Sequence, residues 1–374
     1  MSSQSQYIGS VSSSGLDGVS FADTELSDVD GARGQLVVRG YPIEALSSRI
    51  SFEAMCSLLW EGALPDSASE HRIQAELGAA RMDAYQTRAA WLEPALALED
   101  PMDALRGAIA LLPSDSNPYQ LVACVGLLLP AWQRARLGER LPEPDPNQRH
   151  AADLLRMLHG VSDAERARAL DAYLVTVAEH GMNASTFTAR VVASTESDSV
   201  SAVVAALAAL KGKLHGGAPG PVLDTLDAIS EATRARAYLE AELQAGRRIM
   251  GMGHRIYRTR DPRADVLERA LNALPDGSHT ARVKLARAVE RIAAELLAER
   301  HPNRKLCANV EFYTAVLLEA VGIPRALFTA TFAAARSAGY LAHIAEQRRA
   351  GRLVRPASRY VGPRFGEARA VVSS

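Results

Sequence analysis

Helix-start signals recur along most of this 374-residue chain, and they constrain its fold more than any other feature. Asp100 and Asn117 each precede a proline, which places a capping side chain directly before the first helical position. Two further starts have the spacing of a capping box, in which a hydroxyl residue and an acid bond to each other's backbone. These two pairs are Ser67 with Glu70 and Ser162 with Glu165.

Apolar residues follow the helical period between these starts, as at Leu285, Val289, Ile292 and Leu296. Only residues 16–40 mix glycine, aspartate and short β-prone pieces, which predicts a small β-arm. Glycine-rich residues 212–220 and a turn at 322–324 bracket a segment that could form a separate lobe. We therefore expect an all-α fold with more than one domain.

Composition excludes several classes of protein. The net charge of -1 provides no overall field for nucleic acid or an anionic membrane, and aromatic residues for base stacking are scarce at 5%. The longest apolar stretch, residues 121–132, is far shorter than the roughly 20 residues of a membrane-spanning helix. The three cysteines are far apart, so neither a disulfide framework nor a zinc site is indicated. Without a signal-peptide pattern, we expect a cytoplasmic protein with no nucleic-acid or membrane partner.

Two histidines lie in glycine loops. His180 precedes Gly181 at the expected end of a helix, where it is either a C-terminal cap or a functional group. His215 precedes Gly216 and Gly217, in a loop that is either a simple turn or a close backbone approach to a ligand. No two histidines have a ligand spacing such as His-x-x-x-His, so the sequence predicts no metal site.

Residues 247–263 hold six arginines and His254 against a single aspartate. They surround the glycine loop at 250–253, whose backbone amides can point at a ligand. This composition predicts a local anion site in a nearly neutral protein, with a solvated basic loop as the alternative. No strand precedes the loop, so the dinucleotide-binding fingerprint is not met.

The C-terminal third adds an acid and a further arginine. Glu311 lies beside Phe312 and Tyr313, and Arg336 stands among alanines, where a guanidinium is costly unless an anion pairs with it. An internal carboxylate or a substrate would serve as that anion. His343 we interpret as structural. Histidines in glycine loops, one acid and dispersed arginines together suit a small polycarboxylate that is activated by proton transfer.

These stretches together resemble the citrate synthase family, over nearly the whole chain from Gly15 to Pro356. The motifs are Glu-His-x-x-Asn-Ala-Ser-Thr at 179–186, Leu-His-Gly-Gly-Ala at 214–218, Met-Gly-x-Gly-His-Arg at 250–255, Asn-Val-Glu at 309–311, and Arg336 followed by Arg355. The resemblance implies a homodimer of two-domain, all-α subunits. Residues 1–219 and 326–374 would form the large domain, and residues 220–325 a smaller, mobile domain.

The resemblance also implies roles for individual residues. His254 would polarise the oxaloacetate carbonyl, His215 would hydrogen-bond the enolate oxygen of acetyl-CoA, and Glu311 would be the catalytic base. The carboxylates of oxaloacetate would be bound by Arg263, Arg336 and a partner-supplied Arg355, with His180 and Asn183 beside them. CoA would lie along Met250, Gly251, Gly253 and Asn309, with Arg258 on a phosphate. No tightly bound cofactor is implied, and the compact length resembles a branch without NADH control.

The reaction so implied is the condensation of acetyl-CoA with oxaloacetate and the hydrolysis of citryl-CoA to citrate and CoA. Two positions depart from the family pattern. Most members have aspartate in place of Glu311, and a displacement of about 1 Å in such a site can cost on the order of 10²-fold in rate. Lys213 replaces a proline that is common before the second histidine motif.

Two other functions remain open from the sequence. A 2-methylcitrate synthase would use propionyl-CoA on the same scaffold, and one methylene is worth only about 1–3 kcal/mol of discrimination. A catalytically weak sensor that binds CoA and a dicarboxylate is favoured by Glu311 alone. The histidines and arginines that match the family motifs favour an active enzyme instead.

Overall fold

The computed structural model describes residues 16, 18–216, 219–254, 256–277, 279–358 and 360–362. Within these residues the chain is mainly helical, with one small sheet, which confirms the all-α class expected from the sequence. None of the helices described is both long and apolar enough to cross a membrane. Gly15, Gly217, Ala218 and Arg255, which belong to the motifs above, lie outside the described residues.

The predicted β-arm is a three-stranded antiparallel sheet of β1 (Ser27–Asp30), β2 (Gln35–Val38) and β3 (Tyr41–Pro42). Its order is β1-β2-β3, and Val38 lies opposite both Ser27 and Tyr41. Leu36 and Val38 are fully buried, so one face of the central strand packs on the helices.

The helices then follow one another as far as Ala350. They are α1 (Ile43–Leu46), α2 (Phe52–Glu61), α3 (Ser67–Gln86), α4 (Arg88–Trp91), α5 (Pro101–Ala110), α6 (Pro118–Leu137), α7 (His150–His159), α8 (Ala164–Val177), α9 (Ala184–Ala193), α10 (Ser199–Leu210), α11 (Pro219–Ile229), α12 (Ala235–Gln244), α13 (Pro262–Asn272), α14 (Thr280–Arg300), α15 (Val310–Ala320) and α16 (Phe328–Ala350).

The predicted caps at Asp100 and Asn117 are confirmed. Asn117 Oδ1 accepts from the backbone N–H of Gln120 at 3.0 Å, and Gln120 Oε1 accepts from that of Asn117 at 2.9 Å. The two capping boxes predicted at Ser67 and Ser162 are wrong by one residue.

The actual caps of these two helices are Asp66 and Asp163. Each carboxylate accepts backbone N–H bonds, such as that of Ser69 at 2.8 Å, and aspartate is at least as good a cap as serine. Glu70 therefore takes no part in the cap. Its Oε1 accepts a hydrogen bond from Ser51 Oγ at 2.6 Å.

Helix α16 is buried along most of its length and packs against α2, α5, α6, α8, α9 and α10. A Cβ atom added at Gly339 would lie 2.2 Å from the carbonyl oxygen of Ala178 and 2.8 Å from Glu179 Oε2. The missing side chain thus lets α16 pass directly against the residues that follow α8. This approach sets the distance between Arg336 and the loop that carries His180.

A buried polar network fixes the same region. His343 Nε2 lies 3.0 Å from Glu179 Oε1, and His343 Nδ1 lies 3.1 Å from Arg190 Nη1. Ser27 Oγ donates to Glu179 Oε1 at 2.8 Å, which attaches β1 to the network. His343 is thus engaged on both nitrogens, in agreement with its structural interpretation.

Candidate active site

Polar side chains from five segments converge where α8 ends. The segments are the residues after α8, the turn before α11, the loop from 250 to the start of α13, the first turn of α15 and the middle of α16. Arg263 and Arg336 both lower the pKa of Glu311 electrostatically, and Arg336 lowers that of His215. The sequence motifs therefore come together in space, although they are separated by up to about 150 residues of chain.

His180, His254 and Tyr257 form a compact group. The ring centroids of the two histidines are 5.8 Å apart, and that of His254 lies 4.7 Å from Tyr257. His180 Nε2 lies 3.0 Å from the Tyr257 hydroxyl. Burial holds the pKa of His180 well below its usual value, and the charge of Arg263 lowers it further. His180 is therefore neutral at pH 7, and it is not a cap of α8, which ends at Val177.

The tautomer of His254 is fixed by the backbone. Its Nδ1 accepts the N–H of Ile256 at 3.0 Å and that of Tyr257 at 3.1 Å. A nitrogen that accepts carries no proton, so the neutral ring is protonated on Nε2. Burial, followed by the charge of Arg263, lowers the pKa of His254 to about 4. His254 thus presents a neutral N–H donor.

Arg263 is nearly fully buried and paired with Asp261. Its Nε and Nη2 donate to the two carboxylate oxygens of Asp261 at 3.0 and 2.7 Å. Asp261 Oδ2 also accepts the backbone N–H of Val310 at 3.2 Å, at the start of α15. This bidentate pair fixes the guanidinium plane and leaves Nη1 for another anion.

Arg336 is buried with only part of its guanidinium satisfied. Nε donates to the carbonyl oxygen of Val177 at 2.7 Å, and the guanidinium carbon lies 4.6 Å from the centroid of the Phe332 ring. Neither Nη atom has a hydrogen-bond partner within the described part of the chain. The negative charge of buried Glu179 partly offsets the cost of burying this cation, and the two Nη atoms can donate to a further anion.

Asn309 fastens the glycine loop to α15. Its side-chain amide donates to the Gly253 carbonyl at 2.8 Å, and its backbone N–H donates to that of Gly251 at 2.9 Å. Gly251 has φ +77°, and a Cβ there would lie 2.9 Å from Phe312 Cδ2. Only glycine allows this left-handed, close-packed turn. Asn309 Oδ1 also caps α15 by accepting the N–H of Glu311 at 3.0 Å.

Glu311 is a partly buried acid in the first turn of α15. Burial raises its pKa to about 7, with Asp261 adding to the effect and Arg263 and Arg336 opposing it. Within the described residues, its carboxylate has no hydrogen-bond donor. An acid of this kind is a competent proton acceptor near neutral pH.

His215 lies in the turn before α11 and contacts Ser185 at the start of α9. Its Nε2 is 2.7 Å from Ser185 Oγ and 3.4 Å from the backbone N of Ser185. Burial, followed by the charge of Arg336, lowers the pKa of His215 to about 4. The ring is therefore neutral at pH 7.

The family model "Citrate synthase, C-terminal domain" matches residues 15–357. The chain belongs to the citrate synthase family. A "Putative citrate synthase 2" of Mycobacterium tuberculosis is 38% identical over 93% of this chain and 92% of its own length. A "2-methylcitrate synthase" of the same species is 35% identical over 93% and 90% of the two chains. The chain is accordingly an acyltransferase of the citrate synthase type.

Solved citrate synthases show the same fold. The enzyme of Thermotoga maritima aligns with a TM-score of 0.82 at 33% identity and covers 93% of this chain and 95% of its own. The enzyme of Thermoplasma acidophilum aligns with a TM-score of 0.83 at 25% identity over 94% and 96% of the two chains. The latter structure is a ternary complex with carboxymethyl coenzyme A and oxaloacetate.

Four residues with predicted ligand roles are exposed, cap a helix or pack against the core. Arg258 and Arg355 are exposed, and neither side chain has a hydrogen-bond or ion-pair partner in the part of the chain that is described. Asn183 caps α9, with Oδ1 accepting the N–H of Thr186 at 3.0 Å. Met250 is half-buried against the core. Their roles as ligands stay predictions.

Sequence reasoning missed several side chains that contact the predicted site residues. Asp261 pairs with Arg263, Tyr257 contacts His180, and the Tyr340 hydroxyl donates to Ser185 Oγ at 2.7 Å, yet none of the three was predicted to have a part in the site. The Asp261-Pro262-Arg263 sequence did carry a signal, because an aspartate before an N1 proline is a cap that can also reach the arginine two residues later. In the described ranges, no group of His, Cys, Asp and Glu is arranged to bind a metal ion.

Proposed function

We propose that this protein condenses acetyl-CoA with oxaloacetate and hydrolyses the resulting citryl-CoA to citrate and CoA. The observation that carries the proposal is the fixed Nε2–H of neutral His254, whose ring is acted on by the charge of buried Arg263. The neutral N–H of His254 can hydrogen-bond the ketone oxygen of oxaloacetate and polarise the carbonyl. No proton has to be transferred before the carbon-carbon bond forms. The ternary complex of the Thermoplasma acidophilum relative contains oxaloacetate and a CoA analogue, which supports the same pair of ligands.

The residues can be assigned to the steps of the condensation. Glu311 takes a proton from the methyl carbon of acetyl-CoA, while His215 donates to the developing enolate oxygen. The new carbon-carbon bond forms at the ketone carbon, whose oxygen takes up negative charge beside His254. Arg263 Nη1, the free Nη atoms of Arg336 and a partner-supplied Arg355 would hold the carboxylates, with His180 and Asn183 beside them.

CoA would lie along Met250, Gly251 and Gly253, with Arg258 on a phosphate. Asn309 contributes by holding this loop against α15, since both ends of its side chain bond within the protein. Residues 220–325 would form the smaller domain and close over bound oxaloacetate, which excludes water before the base acts. The subunits would pair as a homodimer. The cytoplasmic location predicted from the sequence stays a prediction.

The alternative is a 2-methylcitrate synthase, because a relative of that name is 35% identical over 93% of this chain. The discriminating experiment is a steady-state assay of CoA release from acetyl-CoA and from propionyl-CoA, each with and without oxaloacetate. We expect oxaloacetate-dependent release with a higher kcat/KM for acetyl-CoA. A preference for propionyl-CoA would establish the alternative, and no turnover by folded protein would favour the sensor.

A further inference from the structure

The turn between β1 and β2 packs on the loop that leads into α13. The backbone N–H of Arg258 donates to the carbonyl oxygen of Gly31 at 2.8 Å. Gly31 is buried, and a Cβ atom there would lie 2.4 Å from the carbonyl oxygen of Ile256. At Gly34, which ends the same turn, a Cβ atom would lie 2.3 Å from Thr259 Oγ1. Two glycines thus allow the turn to touch the loop directly.

The contact of Gly31 falls on a peptide group that is hydrogen-bonded to His254. The carbonyl of Ile256 and the N–H of Tyr257 belong to one planar peptide group. That N–H donates to His254 Nδ1 at 3.1 Å, and the N–H of Ile256 donates to the same nitrogen at 3.0 Å. Because the group is rigid, a displacement of its carbonyl tilts its N–H away from the ring. The position of the turn and the direction of this N–H are therefore linked.

The strand that precedes this turn is anchored beside His180. Ser27 Oγ in β1 donates to Glu179 Oε1 at 2.8 Å and accepts the backbone N–H of Gly181 at 3.0 Å. The hairpin of β1 and β2 is therefore bonded to the residues on both sides of His180, and its turn contacts the loop that follows His254. One short hairpin connects the two loops that carry these histidines.

We propose that this hairpin positions His254, with Gly31 holding the peptide group of Ile256 and Tyr257 so that its N–H stays directed at Nδ1 and the ring presents Nε2–H to the ketone. The part that concerns the ketone rests on the proposed function. Gly31 is needed for space alone, because it is not among the residues with positive φ and its backbone would accept alanine. A carbon added there must separate from the Ile256 oxygen by roughly 1 Å to reach an ordinary contact.

The test is Gly31→Ala, with Ala32→Ser as the matched control. Ala32 follows Gly31 in the same turn and is exposed, so this control also adds one heavy atom but not against the loop. We expect Gly31→Ala to lower kcat on the order of 10²-fold, as for a displacement of about 1 Å in such a site, and Ala32→Ser to keep the parent kcat. Parent kcat in Gly31→Ala would contradict the proposal.

A second readout needs no turnover and would not respond to a merely structural role. Donors directed at Nδ1 favour the neutral ring, because a protonated Nδ1 cannot accept them. Misdirecting one should raise the pKa of His254 from about 4 to roughly 5, since an ordinary hydrogen bond corresponds to about one pH unit. Arg263 and Asp261, whose charges act on the ring, are kept in Gly31→Ala. Nitrogen-15 NMR titration of histidine-labelled protein measures this pKa, and His254→Gln assigns the signal.

An unchanged pKa of His254 in folded Gly31→Ala overturns the proposal whatever kcat does. If Gly31→Ala does not fold, Ser27→Ala loosens the hairpin without adding an atom, and we expect a smaller rise in the same pKa. No rise in that variant would then overturn the proposal. If the pKa of His254 responds as expected but the parent turns over no acyl-CoA, the positioning of the ring by the hairpin stands and the proposed function fails.

Discussion

At the scale of single residues, the site depends on the protonation states of Glu311, His215 and His254, which are set by their surroundings. Burial raises the pKa of Glu311 to about 7 and lowers those of His215 and His254 to about 4. Burial disfavours the charged form in each case, which is why the acid and the bases shift in opposite directions. At neutral pH these shifts would give the proposed site a base and two neutral donors, as proton removal from a carbon acid requires.

The first prediction is a pH dependence set by Glu311. Because only the ionised carboxylate accepts a proton, kcat/KM should fall about tenfold per pH unit below about 7 and level off above it. Glu311→Gln keeps the shape but cannot act as a base, so kcat should fall by on the order of 10² or more while oxaloacetate still binds. Steady-state kinetics from pH 5.5 to 9 and calorimetric titration with oxaloacetate measure both effects.

Glu311→Asp serves as the control for this prediction. It keeps a base but withdraws the carboxylate by one methylene, so we expect a lower kcat with little change in KM for oxaloacetate. A higher kcat would show that the backbone has not adapted to glutamate. Most of the parent activity in Glu311→Gln would place the base at another residue.

The second prediction concerns stability and follows from the same shift in pKa. The folded-state pKa of Glu311 is raised from 4.5 to about 7, so the folded protein binds this proton more tightly than the unfolded chain does. The free energy of unfolding of the parent should therefore fall relative to Glu311→Gln as pH rises from about 4.5 to 7, and stay lower above it. The difference is at most about 3 kcal/mol. Denaturant unfolding of both proteins at pH 4.5 and 8 measures it, and an equal difference at both values would contradict the shift.

Sequence reasoning identified the histidines, arginines and the acid through their motifs, but not the partners that set their protonation. Tyr257 and Tyr340 contact His180 and Ser185 across 77 and 155 residues of chain. Local patterns contain no information about such distant pairs. The sequence also left open whether an internal carboxylate neutralises Arg336, and that depends on which side chains the folded helices bring near it.

At the scale of secondary structure elements, the contact of α16 with the end of α8 determines the geometry of the site. Arg336 Nε donates to Val177 O at 2.7 Å, so the same two elements that meet at Gly339 also place the guanidinium. Helix positions of this kind were predictable from capping signals and the helical period, as the starts at Asp100 and Asn117 show. The errors at Ser67 and Ser162 arose because two adjacent residues could both cap, and the sequence does not rank them.

The third prediction tests that contact. Gly339→Ala would place a methyl group 2.2 Å from Ala178 O, so α16 must shift, and we expect a loss of about 3 kcal/mol in the free energy of unfolding. KM for oxaloacetate should rise as well, because the shift moves Arg336. Gly107→Ala in α5 is the control, since its Cβ has nothing nearer than 3.7 Å, and it should be neutral or up to about 1 kcal/mol stabilising. Equal stability of the two variants would contradict the close approach.

At the scale of the whole molecule, the arginine that the family resemblance assigns to the partner subunit differs in exposure from the other arginines of the proposed site. Arg355 is exposed and without a hydrogen-bond or ion-pair partner in the described residues, whereas Arg263 and Arg336 are buried. An exposed arginine beyond α16 can reach the site of another subunit, and a homodimer would provide one. Such a shared site would make activity a property of the pair of chains.

The last prediction therefore concerns subunit mixing. His254→Ala and Arg355→Ala chains should each be nearly inactive alone. In a heterodimer, one site has both groups intact if Arg355 acts on the partner, and neither site does if it acts within its own chain. Random one-to-one exchange gives about half heterodimers, so activity should recover to about one quarter of that of the parent. Native mass spectrometry verifies that the subunits exchange. The reference for heterodimer formation is a mixture of parent chains with the His254→Ala/Arg355→Ala double variant. Verified heterodimers without recovered activity would show that Arg355 is not shared, because every other group of the site would be complete in one subunit.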